Sequence, residues 1–203
     1  MTDERQSRRT FLLGVGASTA ALVGLTAGQS FELLAPFNLF APRVKGDGPQ
    51  MLPVNRTAAQ AGVVDLAGDP SWRLRVEGAR GSIKLSREDL TRMPQSDAVL
   101  PIACVEGWST TAHWRGVRLA DLLVLAAVDP DRDVRMESLQ PRGAYRTTTM
   151  PPHYAWDPLT LVVLELNGQT LDADHGYPAR VIAPGRPGVL QTKWLSVIRE
   201  EPE

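Results

Sequence analysis

Short strands joined by turns, with only brief helices among them, constrain the fold of this chain most. Apolar and charged residues alternate over 72–77 (WRLRVE), which is the period-two pattern of a half-buried strand. Further strands are predicted at 98–104, 134–137, 144–148, 159–166, 179–183 and 194–199. Because strands and helices do not alternate regularly, a doubly wound parallel sheet is not expected. We predict an α+β fold class, with mixed short-strand sheets and a few short helices.

Two helices and one hairpin turn are indicated by local signals. Residues 86–89 (SRED) form the pattern of a capping box, which begins a short helix that Pro94 ends. A second helix is predicted over 120–128, because residues 119, 122, 123 and 126 are apolar and share one helical face. Asn167-Gly168 is typical of a tight hairpin turn.

The first thirty residues have the pattern of an export signal. Arg8 and Arg9 precede a stretch from Thr10 to Phe31 that contains no charged residue. The pattern predicts a twin-arginine signal over 1–31, and therefore export by the twin-arginine machinery to the periplasm or cell envelope. This route carries folded proteins, which suits an enzyme that acquires its cofactor in the cytoplasm. An uncleaved membrane anchor is the alternative, because twenty-two helical residues would span about 33 Å.

The remainder of the chain is predicted to hold one folded domain. Residues 32–51 have the glycine and proline content of a linker, and residues 52–203 are long enough for a single core. The formal net charge of the whole chain is −1. We therefore expect no nucleic-acid partner, because nucleic-acid binding normally needs a broad basic surface.

Cys104 is the only cysteine, so it cannot form an internal disulfide. An inert core position is the commonest role for such a residue. Nucleophilic catalysis would need a histidine base, and His113 or His175 could supply it. A thiolate is also a soft metal ligand, although one thiolate without paired histidines does not make a structural zinc site. These three roles stay open from the residue alone.

Basic residues and glycines gather in the segment 171–193 near the end of the chain. Its members include His175, Arg180, Arg186 and Lys193, beside Gly176, Gly185 and Gly188. Forked guanidinium donors, a lysine charge and open backbone amides are what a phosphate group requires. Solvated surface cations in turns are the simpler interpretation of the same composition.

Two separated groups of motifs resemble a known family. Residues 104–109 (CVEGWS) and 114–123 (WRGVRLADLL) resemble the molybdopterin-binding domain of the sulfite oxidase superfamily, in its periplasmic methionine-sulfoxide-reductase branch. Residues 167–171 (NGQTL), 174–180 (DHGYPAR) and 193–195 (KWL) are similar to the end of the same domain, here closer to the sulfite oxidases. The similarity covers about residues 52–200 and implies a sulfite-oxidase-type molybdopterin domain.

The resemblance implies a set of site residues and one molybdenum per chain, held in Mo-molybdopterin. Cys104 matches the cysteine whose thiolate binds molybdenum, and Tyr145 resembles the active-site tyrosine of sulfite oxidases. Arg180 and Lys193 resemble the residues that hold the pterin phosphate. The remaining residues implied to contact the cofactor are His175, Ser138 and Asn55.

The departures from the family pattern bear on substrate and electron partner. Sulfite oxidases carry an arginine pair shortly after their cysteine, whereas Val105, Glu106 and Gly107 follow Cys104, which argues against direct sulfite oxidation. The chain ends at Glu203 without the immunoglobulin-like dimerisation domain of sulfite oxidases, and it has no haem-binding Cys-x-x-Cys-His motif. We therefore expect electrons to pass through a separate partner, such as a membrane cytochrome or a soluble periplasmic carrier.

The sequence thus predicts an exported molybdenum enzyme that performs two-electron oxygen-atom transfer on a small substrate, by sulfoxide-type reduction or a related reaction. A non-catalytic binding or scaffold module with the same fold is a competing interpretation. Sulfite oxidation and reaction with a non-sulfur substrate also stay open.

Overall fold

The computed structural model describes residues 14–16, 48–103 and 109–201. The chain divides into two units, Met1–Arg43 and Val44–Glu203, and residues 14–16 of the first unit are helical. Apart from residues 14–16 and 48–51, the segments expected to be signal and linker lie outside these ranges. Over the part of the chain that is described, no helix is both long and apolar enough to cross a membrane.

The described part of the second unit contains ten strands in two sheets. In chain order they are β1 (Leu74–Gly78), β2 (Gly81–Leu85), β3 (Ser96–Ala103), β4 (Ser109–Arg118), β5 (Val134–Ser138), β6 (Thr147–Met150), β7 (Leu161–Leu166), β8 (Gln169–Thr170), β9 (Arg180–Ile182) and β10 (Leu195–Glu200).

The first sheet is mixed and has the strand order β2-β1-β10-β5-β6. Strands β1 and β10 run parallel, with Val76 opposite Ile198, whereas the other neighbours are antiparallel. Parallel neighbours require a long connection, and here nearly the whole domain lies between the two strands. The last strand of the chain, β10, therefore forms the centre of the first sheet.

The second sheet is antiparallel and has the order β3-β4-β7-β8, with β9 paired to β7. Strand β3 pairs with β4 along its whole length, from Ser96 opposite Gly116 to Ala103 opposite Ser109. Strand β9 pairs through Arg180 with Val163 of β7. The sheet therefore fixes both the strand end that precedes Cys104 and the backbone of Arg180.

Short helices fill the connections. They are α1 (Ala58–Ala61), α2 (Val64–Gly68), α3 (Arg87–Arg92), α4 (Leu119–Ala126) and α5 (Pro152–Ala155), with 3₁₀ turns at Pro49–Met51, Ala173–His175 and Gly188–Leu190. The capping box that begins α3 is present, since Ser86 accepts from the Asp89 backbone and Asp89 from the Ser86 backbone. The predicted fold class is confirmed by these short strands and helices.

The main core is built from residues of both sheets and of α4. Strand β7 is buried on both faces: Val162 and Leu164 belong to the main core, whereas Leu161 and Val163 belong to a second cluster around Trp114. Burial on both faces explains why residues 161–164 of β7 are continuously apolar rather than alternating. A third, smaller cluster packs α1 and α2 against Trp194.

One predicted strand begins later than expected, and strands β2 and β4 were not predicted. The strand expected at 144–148 begins only at Thr147, because the Arg146 amide donates to the Gly143 carbonyl (3.1 Å) and closes a turn before it. Strand β4 was not predicted, because two of its buried positions, Ala112 and Gly116, carry small residues that do not stand out as an apolar alternation. Strand β2 was also missed, since only Ile83 and Leu85 are partly buried in it and pairing with β1 holds it in place.

Gly116 allows β4 to lie close to β7 at a shift in their register. A Cβ at this position would lie 2.1 Å from the Val162 carbonyl oxygen, which is backbone and cannot rotate away. We predict that Gly116→Ala lowers the free energy of unfolding by about 1–3 kcal/mol, the usual cost of overpacking. Chemical denaturation measures the change.

Gly68→Ala is the matched control, because a Cβ there meets no atom within 4 Å. It should leave stability unchanged or raise it slightly, since Gly68 ends α2 and alanine favours helix. Equal stability of the two variants would contradict the close approach of β4 and β7.

Candidate functional site

One cleft brings together residues from distant parts of the sequence. It encloses about 740 Å³, counting the part that is open to solvent. Its walls come from the segment after residue 51, the end of β3, the turn before β6, and the segments 175–180 and 188–194. Five residues predicted to form the site line it: Asn55, Tyr145, His175, Arg180 and Lys193.

Arg180 is a buried cation on the first residue of β9. Its side chain is only 3% exposed, its Nη1 donates to the His175 carbonyl oxygen (3.0 Å), and its guanidinium lies 5.1 Å from the centre of the Trp114 ring. Within 48–103 and 109–201 it makes no ion pair, and its buried Nε has no partner. Burial alone lowers its pKa to about 10. A buried charge of this kind favours an anion in the cleft.

Lys193 lies on the same wall of the cleft. Its Nζ donates to the carbonyl oxygens of Arg56 (2.6 Å) and Asp174 (2.9 Å) and lies 4.5 Å from the centre of the Trp194 ring. Gly176 separates the two cations, and a Cβ there would lie 3.1 Å from the Cβ atoms of both Arg180 and Lys193. The absence of a side chain at Gly176 therefore allows the two cations to approach each other.

His175 ends the 3₁₀ turn Ala173–His175 and is 2% exposed. Its Nε2 lies 2.7 Å from the Pro49 carbonyl oxygen, and because that oxygen can only accept, Nε2 carries the proton. Desolvation is the largest cause that lowers the pKa of His175, to about 4, and the nearby charges of Arg180 and Lys193 add to it. The ring is therefore neutral near pH 7, with Nδ1 as its hydrogen-bond acceptor.

Ser138 does not line the cleft but lies behind its wall. The residue is 3% exposed at the end of β5, and its Oγ donates to the Lys193 carbonyl oxygen (2.8 Å). The same Oγ accepts from Nε2 of Gln140 (3.3 Å). Ser138 therefore fixes the backbone of Lys193, and its contact with a cofactor stays a prediction.

Tyr145 and Asn55 line the open side of the cleft. Tyr145 is 50% exposed and lies in the turn that closes before β6, not in a strand. Asn55 is exposed in the segment between the 3₁₀ turn at Pro49–Met51 and α1. These two side chains are accessible to a small molecule entering from solvent.

Cys104 lies outside the described residues, but the end of the strand before it does not. Ala103, the last residue of β3, lines the cleft. The turn Gly188–Leu190 packs against this strand end so closely that a Cβ on Gly188 would lie 2.6 Å from the Ala103 carbonyl oxygen. The last described residue before Cys104 is therefore part of the wall of the cleft.

Sequence reasoning missed two glutamines in the cleft. Gln140 and Gln191 are 7% and 2% exposed, and the Oε1 atom of each is buried without a partner in the described residues. Glutamine is usually a surface residue, so its type gave no signal. For Gln191 the only hint was its position two residues before Lys193.

Arg186 belongs to the basic segment but not to the cleft. It is 5% exposed, and it donates from Nε to the Leu190 carbonyl oxygen (3.0 Å) and from Nη2 to that of Thr149 (2.7 Å). These bonds tie the loop before Lys193 to β6. Arg186 therefore stabilises the loop before Lys193.

The polar groups in the cleft fit a ligand that combines an anion with a hydrogen-bonding ring. Arg180 and Lys193 supply charge for a phosphate, whereas the unpartnered Oε1 atoms of Gln140 and Gln191 would accept from ring or amino N–H groups. Among residues 48–103 and 109–201, no three His, Cys, Asp or Glu side chains are grouped to hold a metal.

The chain is similar to known oxidoreductases. The mitochondrial sulfite oxidase of Mus musculus is 36% identical over 164 residues, covering 66% of this chain and 30% of that protein. The protein-methionine-sulfoxide reductase catalytic subunit of Gluconobacter oxydans is 31% identical over 144 residues, covering 63% of this chain and 46% of that protein. The chain thus spans about 30% of the length of the sulfite oxidase and under half of the reductase.

A solved structure shares the fold. The sulfane dehydrogenase SoxCD from Paracoccus pantotrophus matches with a TM-score of 0.59 at 22% sequence identity, covering 66% of this chain and 39% of that chain. The family model described as the oxidoreductase molybdopterin binding domain matches residues 61–202. Because this match covers more than half of the chain, the protein belongs to the oxidoreductase molybdopterin binding domain family, in the sulfite oxidase superfamily.

Proposed function

We propose that this chain is an exported molybdenum enzyme that transfers an oxygen atom in a two-electron reaction, with sulfoxide-type reduction as the first candidate. The family of the chain and its relatives among sulfite oxidases and methionine-sulfoxide reductases support this class of chemistry. A sulfoxide takes up two electrons and two protons and releases a thioether and water. The electrons come from a separate partner, such as a membrane cytochrome or a soluble carrier.

The observation that carries the proposal is the buried charge of Arg180, which meets no acidic side chain among residues 48–103 and 109–201. A charge that is 3% exposed is costly to bury unless it meets an opposite charge. The phosphate of molybdopterin supplies that charge, and Arg180 Nε can donate to it because this atom has no partner in the described residues. Lys193 adds a second cation on the same wall.

Cys104 is proposed to hold the metal. Its thiolate is a soft ligand, and the strand before it ends at the wall of the cleft. When bound, the cofactor supplies a metal that changes between Mo(VI) and Mo(IV), which is the two-electron capacity that oxygen-atom transfer requires.

The remaining cleft residues orient the cofactor and the substrate. His175 is neutral and offers Nδ1 as an acceptor, and Gln140 and Gln191 accept from N–H groups of the pterin. Tyr145, half-exposed at the opening, is placed to donate a hydrogen bond to the oxygen of a substrate. Asn55 lies on the same open side.

Sulfite oxidation is the second candidate, because the mammalian sulfite oxidases align with 66% of the chain at 35–36% identity. The residues that follow Cys104 argue against it, since Val105, Glu106 and Gly107 replace an arginine pair. A dye-linked assay with sulfoxides, N-oxides and sulfite separates the candidates.

The proposed location is the periplasm or cell envelope, reached by the twin-arginine machinery. Arg8-Arg9 and the uncharged stretch to Phe31 support this route. Retention of the stretch as a membrane anchor is the alternative, and the N-terminal sequence of the exported protein distinguishes the two.

The protein isolated from cells that make the cofactor should contain one molybdenum atom per chain. Cys104→Ser should lower oxygen-atom-transfer activity by at least about 100-fold, because even outer partners of a metal change function by about 10–100-fold. Elemental analysis and a dye-linked assay measure both quantities. A wild-type protein without molybdenum, or a fully active Cys104→Ser variant, would show that the chain is a scaffold or uses another chemistry.

Arg180→Met should weaken cofactor retention without greatly destabilising the fold. Loss of a hydrogen-bonded charge costs roughly 1.5–3 kcal/mol of binding, or about 10–100-fold in affinity. The cofactor-free protein should change in stability by no more than about 1 kcal/mol, because removal of an unpaired buried charge offsets the lost contacts. Molybdenum retained after dialysis and chemical denaturation measure the two effects.

Arg92→Gln is the control for this experiment, because Arg92 is largely exposed at the end of α3. It should retain the cofactor fully. If Arg180→Met also retains the cofactor, Arg180 does not bind it.

The pKa of His175 predicts how stability depends on pH. Its pKa falls from 6.5 to about 4 on folding, so between these values the unfolded chain binds more protons. The free energy of unfolding of the cofactor-free protein should therefore fall as the pH decreases from about 6.5 to about 4, by roughly 3 kcal/mol in total. Chemical denaturation at several pH values tests this, and a His175→Gln variant with the same pH dependence would contradict the assignment.

A further inference from the structure

Residues 48–52 form a strap across the domain, although the sequence predicted a linker as far as residue 51. The strap precedes the family match, which begins at residue 61. It makes the 3₁₀ turn Pro49–Met51 and ends at Leu52, which is 2% exposed in the cluster around Trp114. The strap is therefore packed against the domain, and its last residue, Leu52, lines the cleft.

Gln50 fastens the strap to the segment that leads into the cofactor site. Its side-chain Nε2 lies within hydrogen-bond distance of the carbonyl oxygens of Leu166 (3.1 Å), Gln169 (3.3 Å) and Thr170 (3.0 Å). Its Oε1 accepts from the Asp172 backbone amide (2.9 Å). One side chain therefore joins the β7–β8 hairpin to the residue that caps the turn of His175.

The backbone of the strap contacts the same two elements. The Gln50 carbonyl oxygen accepts from Nδ2 of Asn167 in the hairpin (2.8 Å), and the Pro49 carbonyl oxygen accepts from Nε2 of His175 (2.7 Å). The second contact fixes which ring nitrogen carries the proton.

The strap adopts a backbone conformation that needs such support. Gln50 and Met51 are consecutive non-glycine residues with φ values of 58° and 60°. Left-handed conformations of this kind persist only where surrounding contacts hold them. The Met51 side chain is 72% exposed, so of these two residues it is Gln50 whose side chain holds the turn to the domain.

We propose that Gln50 is a positioning residue, which holds the Pro49 carbonyl against His175 and so keeps Nδ1 of that ring available to accept a hydrogen bond from the cofactor. This inference rests on the proposed function in one respect, namely that His175 contacts molybdopterin. Arg180 is linked to the same unit, since its Nη1 donates to the His175 carbonyl oxygen. The strap thus acts on two residues of the site without touching the ligand.

Ring-nitrogen NMR and cofactor retention test the proposal in the full-length protein. The chain has only three histidines, so the His175 resonances can be assigned by comparison with His175→Gln. Gln50→Ala removes every side-chain bond of Gln50, and Gln50→Glu keeps the acceptor for the Asp172 amide but loses the donor. Met51→Ala is the matched control on the same turn.

In the wild type and Met51→Ala, we expect the His175 ring to be protonated on Nε2 alone. In Gln50→Ala and Gln50→Glu it should become a mixture of the two neutral forms, and molybdenum should be lost on dialysis about tenfold faster, as for other outer-shell partners. Wild-type ring signals in both Gln50 variants, or changed ring signals with wild-type retention of molybdenum, would overturn the proposal. If the wild type contains no molybdenum, the proposed function fails, and the ring signals alone decide whether Gln50 positions His175.

Discussion

The site is arranged around one buried charge, the guanidinium of Arg180. Its position is fixed by pairing of β9 with β7, by the Trp114 ring and by the His175 carbonyl, yet its charge meets no acid among residues 48–103 and 109–201. A fold that buries such a charge gives up stability unless an anion binds. Membership of a molybdopterin-binding family identifies a ligand with a phosphate to meet it.

The rest of the architecture brings the other site residues to this charge. Ala103, the last residue of β3 and the residue before Cys104 in the sequence, lines the cleft, and Gly176 lets Lys193 approach Arg180. The strap at residues 48–52 adds a further support, because Pro49 holds the ring of His175. The residues proposed to hold the phosphate, the metal and the pterin ring thus come from separate elements that only the tertiary fold brings together.

The sequence predicted those features that depend on local pattern or on family motifs. The apolar run of β7, the capping box of α3 and five cleft residues followed from such signals. The buried positions of β4 include the small residues Ala112 and Gly116, and Ser138 acts through the Lys193 backbone, so neither placement was visible. Gln50 and Gln191 are of a residue type that is usually exposed, and their contacts exist only after folding. The roles of the site residues stay predictions.

The central claim is that the cofactor phosphate is paired with Arg180 and Lys193 inside the domain. A ³¹P NMR titration of the cofactor-loaded protein tests it most directly, because buried cations favour the dianion of a phosphate. The phosphate resonance should keep its dianion position between about pH 5 and pH 8. A resonance that titrates with a pKa of about 6, as a solvated phosphate monoester does, would contradict it.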